Sequence, residues 1–490
     1  MADVLIKNAE ILTMDPARRI IDRGWISVSG NRIEDIGEGD PGAVSATKEI
    51  DASGGLVMPG FVSSHAHPVD AMLRGGIELD RNLFDWFYNI YYGGLAAFTP
   101  EDCNMSIRLA MAEGIRGGIT TFQDTWGINT GDDAARVDAC AEASIEAYRS
   151  VGMRCIFSWM FNDRIPAAWD EYLKSIGRKI PSLRLDPATI VEDTDSVLAR
   201  MEALMRKHHR SDGGRIHACP APCLPNTCTE EALLGSLELA REFDTLVTIH
   251  VNEQMTDARM FSELWQISAT EWMHNMGFLD PRVVAAHCVW LSDKDIRLFR
   301  MHDVKVAHNP TSNHFLGSGA APIDKMVMAG ITVGLGTDDV NLHSNVSIFS
   351  EMRRAALLQK VVRHDAGVIT AEKVLEMATI DGARVLGLES EIGSLEVGKK
   401  ADLIVLDTDA PHWFPRHHLP SVLVFQAHDE DVRTVLIDGR VVMEDRALHF
   451  LDGDQEQAFL ARVQEATDRI VEDAGLQSAR DRGWQSFSRV

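Results

Sequence analysis

Two hydrophobic rhythms divide the chain. From about residue 60 to residue 388, short apolar runs alternate with longer stretches whose apolar positions recur every three or four residues. The runs GITTFQD, MRCIFSW, RIHACPAP, LVTIHVN, VVAAHCV, VKVAHNP and ITVGLGTDD read as strands. PEDCNMSIRLAMAEGIRG, TEEALLGSLELAREFD and SIFSEMRRAALLQKVVR carry the helical period. Strands and helices in alternation predict βα repeats around a parallel sheet, an α/β fold of the (β/α)8 TIM type. The ends of the chain read differently. VLIKNAEILT and GWISVSGNRIEDIGEG near the start, and KKADLIVLDTD, SVLVFQA and VRTVLIDGRVVMEDRA near the end, alternate apolar and polar residues around Gly and Asn. They predict a small composite β-sandwich formed from residues 1–58 and 391–446, beside a barrel of residues 59–390. Residues 447–490 are expected as a C-terminal helical extension, amphipathic from Asp454 onward and suited to packing or oligomer formation.

Several strand-like runs end in residues foreign to an apolar strand. His65-Ala66-His67 closes the run that begins at Leu56. Side chains two apart on a strand point the same way, so both imidazoles can turn toward one metal ion. Alone, a His-x-His pair is a weak signal. However, His250 closes LVTIH with Glu253 three residues on, His287 closes VVAAH, and Asp338 closes ITVGLGTD. An ionisable group at the rim of an apolar strand costs free energy unless it is paired or ligates something. A single histidine there is ordinarily a hydrogen-bonded core residue, but the set points to a metal site with acid and base groups around it. The other histidine cluster, Arg416-His417-His418, sits among polar residues next to proline and reads as loop.

Charge narrows the partners. With 48 Lys and Arg against 73 Asp and Glu, the formal net charge is −25, which repels phosphate backbones and anionic lipid. Nucleic-acid and membrane-surface partners are therefore not expected. The seven cysteines form no CxxC pair and are odd in number, as for reduced thiols in a cytoplasmic protein. The opening MADVLIKNAEILTMD lacks the long apolar run of a secretion signal, and no window has the length of a membrane span.

The segments PGFVSSHAHPVDAMLRGG, AAHCVWLSDKDI, VAHNPTSNHFLGSG, AGITVGLGTDD and EMRRAALLQK resemble the amidohydrolase superfamily. They are similar to its branch of S-adenosylhomocysteine and methylthioadenosine deaminases, triazine hydrolases, and purine and pterin deaminases. VGKKADLIVLD and VLIDGRVVMED resemble the closing β segments of the same family, so the resemblance runs to about Arg446. It implies one divalent ion, zinc or alternatively iron(II), held by His65, His67, His250 and Asp338. Relatives with two ions use a lysine at the end of the fourth barrel strand, and RIHACPAP has none. The resemblance further implies that Asp338 takes the proton of the attacking water. Glu253 would protonate the ring and then the leaving amine, and His287 would orient the water.

The sequence departs from nucleoside-acting relatives at two places. Where they carry a ribose-binding acid, this chain reads Asn89-Ile90-Tyr91-Tyr92-Gly93-Gly94; where they carry a ring-binding histidine, it has Cys223 in Ala221-Pro222-Cys223-Leu224-Pro225. Glu78 or Asp80 could replace the acid if the alignment slips there. Trp86, Tyr91, Tyr92, Trp126 and Trp159 are candidate walls for a planar ring, each balanced against an ordinary core role. The expected activity is hydrolytic deamination of an amino-substituted N-heteroaromatic ring: a purine base, pterin or triazine. The alternatives are loss of chloride, alkylamine or thioether from a triazine-like ring, deamination of S-adenosylhomocysteine or methylthioadenosine, or a non-catalytic metal-dependent binding protein. Retention of Glu253 favours an amine as leaving group, because an amine must be protonated to depart. A homodimer or higher homo-oligomer is expected.

Overall fold

The structure, a computed structural model, describes residues 1–75, 83–128, 133–165, 187–342, 345–451 and 453–477. Parallel strands at Phe61–His67, Ile119–Trp126, Arg154–Phe161 and Ile216–Pro222 form one hydrogen-bonded run, and those at Val247–Val251, Val283–His287, Lys305–His308 and Val333–Leu335 form a second. Nearly every residue in these strands is buried, as when both faces of a parallel sheet are covered. Helices Pro100–Arg116, Glu230–Glu242 and Ile348–Arg363 fall where the periodicity placed them. The first starts on a capping box between Thr99 and Asp102, with proline at its first turn.

The last barrel run is broken rather than continuous. Val333–Leu335 pairs with Lys305–His308, and the chain then crosses so that Asp338–Asp339 pairs with the first strand, Asp338 opposite Ala66 and Asp339 opposite His67. The crossover needs glycine at 336, since a Cβ there would stand 2.6 Å from the His65 carbonyl oxygen and 2.3 Å from Asn309 Oδ1. Asp338 is thereby delivered beside the His-x-His pair. On the other side, the fourth and fifth strands meet through the His250 amide, which donates to the Cys223 carbonyl at 3.1 Å.

The β-rich ends do meet. Nine strands drawn from both ends form one hydrogen-bonded sheet. It branches because Ala2–Leu12 is long enough to pair with Ala46–Asp51 over its first half and with Gly55–Pro59 over its second. Gly55–Pro59 in turn pairs with Leu403–Asp407, joining the two ends of the chain. Val4, Ile6, Ile26, Val28, Leu403 and Val405 belong to a separate apolar core here. A buried ion pair ties this sheet to the base of the barrel: Arg154 Nε and Nη2 donate to Asp402 at 2.7 and 2.9 Å. The amphipathic tail is the helix Asp454–Asp473, which buries Phe459, Val463, Ile470 and Val471 and is pinned by Arg116–Glu456 and Arg469–Asp102 ion pairs. All seven cysteines are free and buried, and no described helix is long and apolar enough to cross a membrane.

Candidate active site

Four strand ends converge at one rim of the barrel. The side chains of His65, His67, His250, His287 and Asp338 are almost wholly shielded from solvent. Two of these positions depart from strand geometry: His287 and Asp338 have φ of 68° and 62°. Such left-handed conformations are costly for residues other than glycine and are found where structure serves a site.

Each imidazole is fixed from behind. The Nδ1–H of His250 donates to the Cys223 carbonyl oxygen at 2.8 Å, which leaves the lone pair on Nε2. His65 Nδ1 lies 3.1 Å from Thr125 Oγ1, which is held by the Gln123 amide at 2.9 Å. His67 Nδ1 lies 3.4 Å from the Tyr91 hydroxyl. The inner atoms then face one another: His67 and His250 Nε2 are 3.3 Å apart, and Asp338 Oδ1 lies 3.2 Å from His65 Nε2 and 3.5 Å from His67 Nε2. His65 Nε2, His287 Nε2 and both Asp338 oxygens have no hydrogen-bond partner although buried.

Burial drives all three rings toward the neutral form, His67 down to about 3. Burial also works to raise the Asp338 carboxyl, but His287, His65 and His67 outweigh it and hold Asp338 well below the usual carboxylate range. Neutral imidazoles and an ionised carboxylate, with unsatisfied atoms turned to a common centre, fit a divalent cation. The ring nitrogens of His65, His67 and His250 form one such cluster, and His65, His287 and Asp338 another.

Beside this centre stands a buried carboxyl group, that of Glu253. Glu253 Oε2 and Asp338 Oδ2 lie 3.7 and 3.6 Å from His287 Nε2. The Nδ1–H of His287 donates to Asn313 Oδ1 at 3.0 Å, so the ring is held at its far side. Ser318 Oγ is 3.4 Å from Glu253 Oε1 and receives the Gln254 amide at 2.6 Å. Burial pushes Glu253 up to about 7, against the opposing pull of His287. For His287, burial lowers the pKa, but Glu253 and Asp338 outweigh it and the net shift is upward. A carboxyl poised near neutrality suits an acid that must also accept a proton.

The centre opens into a cavity walled by Leu83, Trp86, Phe87, Tyr91, Cys223, Leu224 and Thr227, with Glu253, His287 and Asp339 also exposed to it. Three of the six proposed substrate contacts, Trp86, Tyr91 and Cys223, therefore stand at this wall. The other three do not line it. Trp126 points outward, its indole donating to Ser144 Oγ at 3.0 Å. Trp159 packs edge-on against Trp126 with Arg200 over its ring. Tyr92 is buried and receives the Asn162 amide at 2.9 Å. Glu78 and Asp80 lie outside the described residues. The sequence reading missed Asp339, Thr227 and Leu224 on the wall, and Thr125 and Asn313 behind the histidines. For Asp339 the signal was present as the second half of an Asp-Asp doublet.

Residues 56–442 match the model of the amidohydrolase family. The chain is 33% identical to an S-triazine hydrolase of Gordonia rubripertincta over 99% of its own length and all of that protein. It is 35% identical to a 5'-deoxyadenosine deaminase of Methanosarcina mazei, over 96% of this chain and 99% of the relative. Among solved structures, an adenosine deaminase from Xanthomonas campestris with bound zinc superposes with a TM-score of 0.84 at 27% identity, covering 96% of this chain and 99% of the other. Family match, barrel and histidine–aspartate centre agree: the chain belongs to the amidohydrolase family.

Proposed function

We propose that this protein is a metal-dependent hydrolase that removes an amino group from an N-heteroaromatic ring, such as a purine base, pterin or triazine. The observation that carries this reading is Glu253, a buried carboxyl raised to about 7 beside His287 and Asp338 at the edge of an apolar, aromatic cavity. His65, His67, His250 and Asp338 would hold one divalent ion, zinc in preference to iron(II). When bound, that ion supplies Lewis-acid activation of a water nucleophile. Asp338 accepts the proton that the attacking water gives up. The His287 ring, held by Asn313, orients that water. Glu253 donates its proton to the ring nitrogen as the carbon–oxygen bond forms. The resulting carboxylate then takes the proton of the adduct's hydroxyl and delivers it to the departing amine, and the proton held by Asp338 returns to Glu253 to restore the starting state. The carbon–nitrogen bond breaks and ammonia leaves.

The neighbourhood favours a free ring over a nucleoside, since the Asn89–Gly94 segment, where relatives hold ribose, contains no acid and gives only Tyr91 to the cavity wall among the described residues. The similarity to an S-triazine hydrolase supports a second reading, hydrolytic loss of chloride, alkylamine or thioether from a triazine-like ring. Similarity to 5'-deoxyadenosine deaminases keeps nucleoside deamination as the third. We further propose residues 1–58 with 391–446 as a composite β-sandwich, 59–390 as a closed barrel and 447–490 as a helical extension, in a cytoplasmic homo-oligomer. The negative charge and the free buried thiols support the location. Exposed Leu357, Val361 and Val362 on one helix support association. The decisive experiment measures ammonia release from a panel of aminopurines, pterins, aminotriazines and adenosine derivatives, with metal content determined on the same sample. Release from free rings is expected; no ammonia from any member would overturn the reading.

A further inference from the structure

A short chain of contacts leads from His287 to a carboxyl group that the proposed chemistry does not use. Glu351 is wholly buried in the first turn of the helix Ile348–Arg363 and is not among the described residues that line the cavity. Burying a carboxyl costs free energy unless hydrogen bonds complete it. Here both oxygens grip one residue of another element. Oε2 accepts the Thr311 amide at 3.0 Å, and Oε1 accepts the Thr311 hydroxyl. Arg354, one turn along the same helix as Glu351, donates to that hydroxyl oxygen at 2.6 Å.

Thr311 lies in the helix Pro310–Phe315, whose six residues are too few to hold their shape alone. The first amides of a helix have no partner within it, and the N-cap residue Asn309 makes no side-chain cap. Glu351 supplies the missing acceptor from a neighbouring helix. The short helix matters because of what it carries. Asn313 Oδ1 accepts the His287 Nδ1–H at 3.0 Å, and Asn309 Nδ2 lies 3.5 Å from the same nitrogen. The Asn313 carbonyl accepts the Ser318 amide at 2.8 Å, and Ser318 Oγ stands 3.4 Å from Glu253 Oε1. His287 and Glu253 are thus both held through one short helix, which Glu351 fixes at its first turn.

We propose that Glu351 is a positioning residue, which sets the His287 ring for the reaction by fixing Thr311 and, through it, Asn313. It acts through this chain of contacts rather than on the substrate. The grip needs one oxygen to accept the amide and a second atom to meet the hydroxyl. A glutamine can reproduce it, its carbonyl oxygen accepting the amide and its Nε2 donating to Thr311 Oγ1. A leucine of similar bulk cannot. The consequence for turnover rests on the proposed role of His287, but the placement of the ring is read without turnover.

The test compares Glu351→Leu with Glu351→Gln in zinc-loaded protein labelled with nitrogen-15 at histidine. The Nδ1 proton of His287 is assigned as the resonance absent from His287→Asn. Buried and hydrogen-bonded, it should lie downfield and exchange slowly with water in wild type. In Glu351→Leu it should move upfield and exchange at least about tenfold faster, as the segment that shields it loosens. In Glu351→Gln it should return to the wild-type position. On whichever ring releases ammonia, kcat of Glu351→Leu should fall by about tenfold to 100-fold at unchanged KM and zinc content, the scale of a misplaced catalytic group. Glu351→Gln should recover most of that loss. Thr311→Val, which removes the hydroxyl half of the grip, is the second variant should Glu351→Leu fail to fold, and both readouts should move the same way by a smaller factor. An unmoved His287 proton or an unchanged kcat in a folded Glu351→Leu or Thr311→Val variant overturns the proposal. A loss as large in Glu351→Gln as in Glu351→Leu also overturns it, by making the charge rather than the grip the active feature. Failure of the deaminase reading would look different: wild type would release ammonia from no ring, while the His287 proton would still decide the role of Glu351.

Discussion

The Nδ1–H of His250 points at the Cys223 carbonyl oxygen 2.8 Å away. That one contact links the ends of the fourth and fifth barrel strands and fixes which nitrogen of the ring is free. A backbone carbonyl cannot donate, so the proton must sit on Nδ1 and the lone pair on Nε2, facing His67. The consequence is a His250 ring whose tautomer is chosen before any ion arrives. Purified protein should therefore hold about one zinc or iron per chain, and chelation should abolish turnover. His65→Ala and His250→Ala should each lose both metal and activity in elemental analysis and assay. Full activity in metal-free protein would refute the site.

Thr125 carries the same logic one step outward. Its hydroxyl stands 3.1 Å from His65 Nδ1 and receives the Gln123 amide. Thr125→Val keeps the shape and removes the partner, so metal affinity should fall by about 10-fold to 100-fold, the usual scale for the groups that orient metal ligands. Competition with a chromophoric chelator measures it. Unchanged affinity would mean that His65 is oriented by packing alone.

The residues that converge at the rim were legible because they break a pattern. His250 and His287 each end a run of apolar residues, and the cost of an ionisable group there calls for an explanation that sequence alone supplies. The walls were less legible, because residue type does not tell which way a side chain turns. Along Gln123–Trp126, Gln123 and Thr125 turn toward the site while Asp124 and Trp126 turn toward the helix Ala134–Val151, meeting Tyr148 and Ser144. Alternation predicts that opposition, but only the fold decides which set faces inward. The break at Gly336, which carries Asp338 across to pair with the first strand, depends on a close approach to His65 that no local signal reports.

Asp124 is buried in the barrel wall, with the Tyr148 hydroxyl donating to Oδ2 at 2.8 Å. Burial pushes its carboxyl up to about 8, only partly offset by that hydrogen bond. The folded state thus keeps a proton that the unfolded chain, with an ordinary aspartate pKa, releases from about pH 4 upward. Stability should fall as pH rises from about 4 to about 8, by up to about 1.4 kcal/mol per pH unit from this group. Asp124→Asn preserves the acceptor for Tyr148 and should remove that slope. Denaturant unfolding of both proteins from pH 5 to pH 8 tests it; parallel curves would contradict the assignment.

Arg154 and Asp402 are both almost fully buried and join barrel to sheet. Asp402→Ala should cost about 3–5 kcal/mol, because it strands most of a buried guanidinium charge. Asp438, 3.3 Å from Arg154 Nη2, softens the loss and keeps it toward the lower figure. The double variant Arg154→Met with Asp402→Leu should recover most of the stability, since apolar replacement of a buried pair is often neutral. A double variant as unstable as Asp402→Ala would show that the charges themselves are required.

Glu253 separates the readings of the reaction. As the proton donor, it matters in proportion to how badly the leaving group needs a proton. An amine leaves only when protonated, whereas chloride departs as an anion. Glu253→Gln retains size and polarity but cannot transfer a proton, and Ser318 can still donate to its oxygen. With an aminated ring, turnover should fall by about 100-fold to 10,000-fold at unchanged metal content, the usual scale of general acid–base catalysis. With a chlorinated ring of the same skeleton, the loss should be far smaller. Steady-state kcat on the two rings, for wild type and variant, gives the comparison directly. Equal losses would show that Glu253 acts on the nucleophile's side, through the nearby His287 ring at 3.7 Å, rather than on the leaving group. No loss on the aminated ring would move the acid's role to His287 and leave Glu253 as its electrostatic partner.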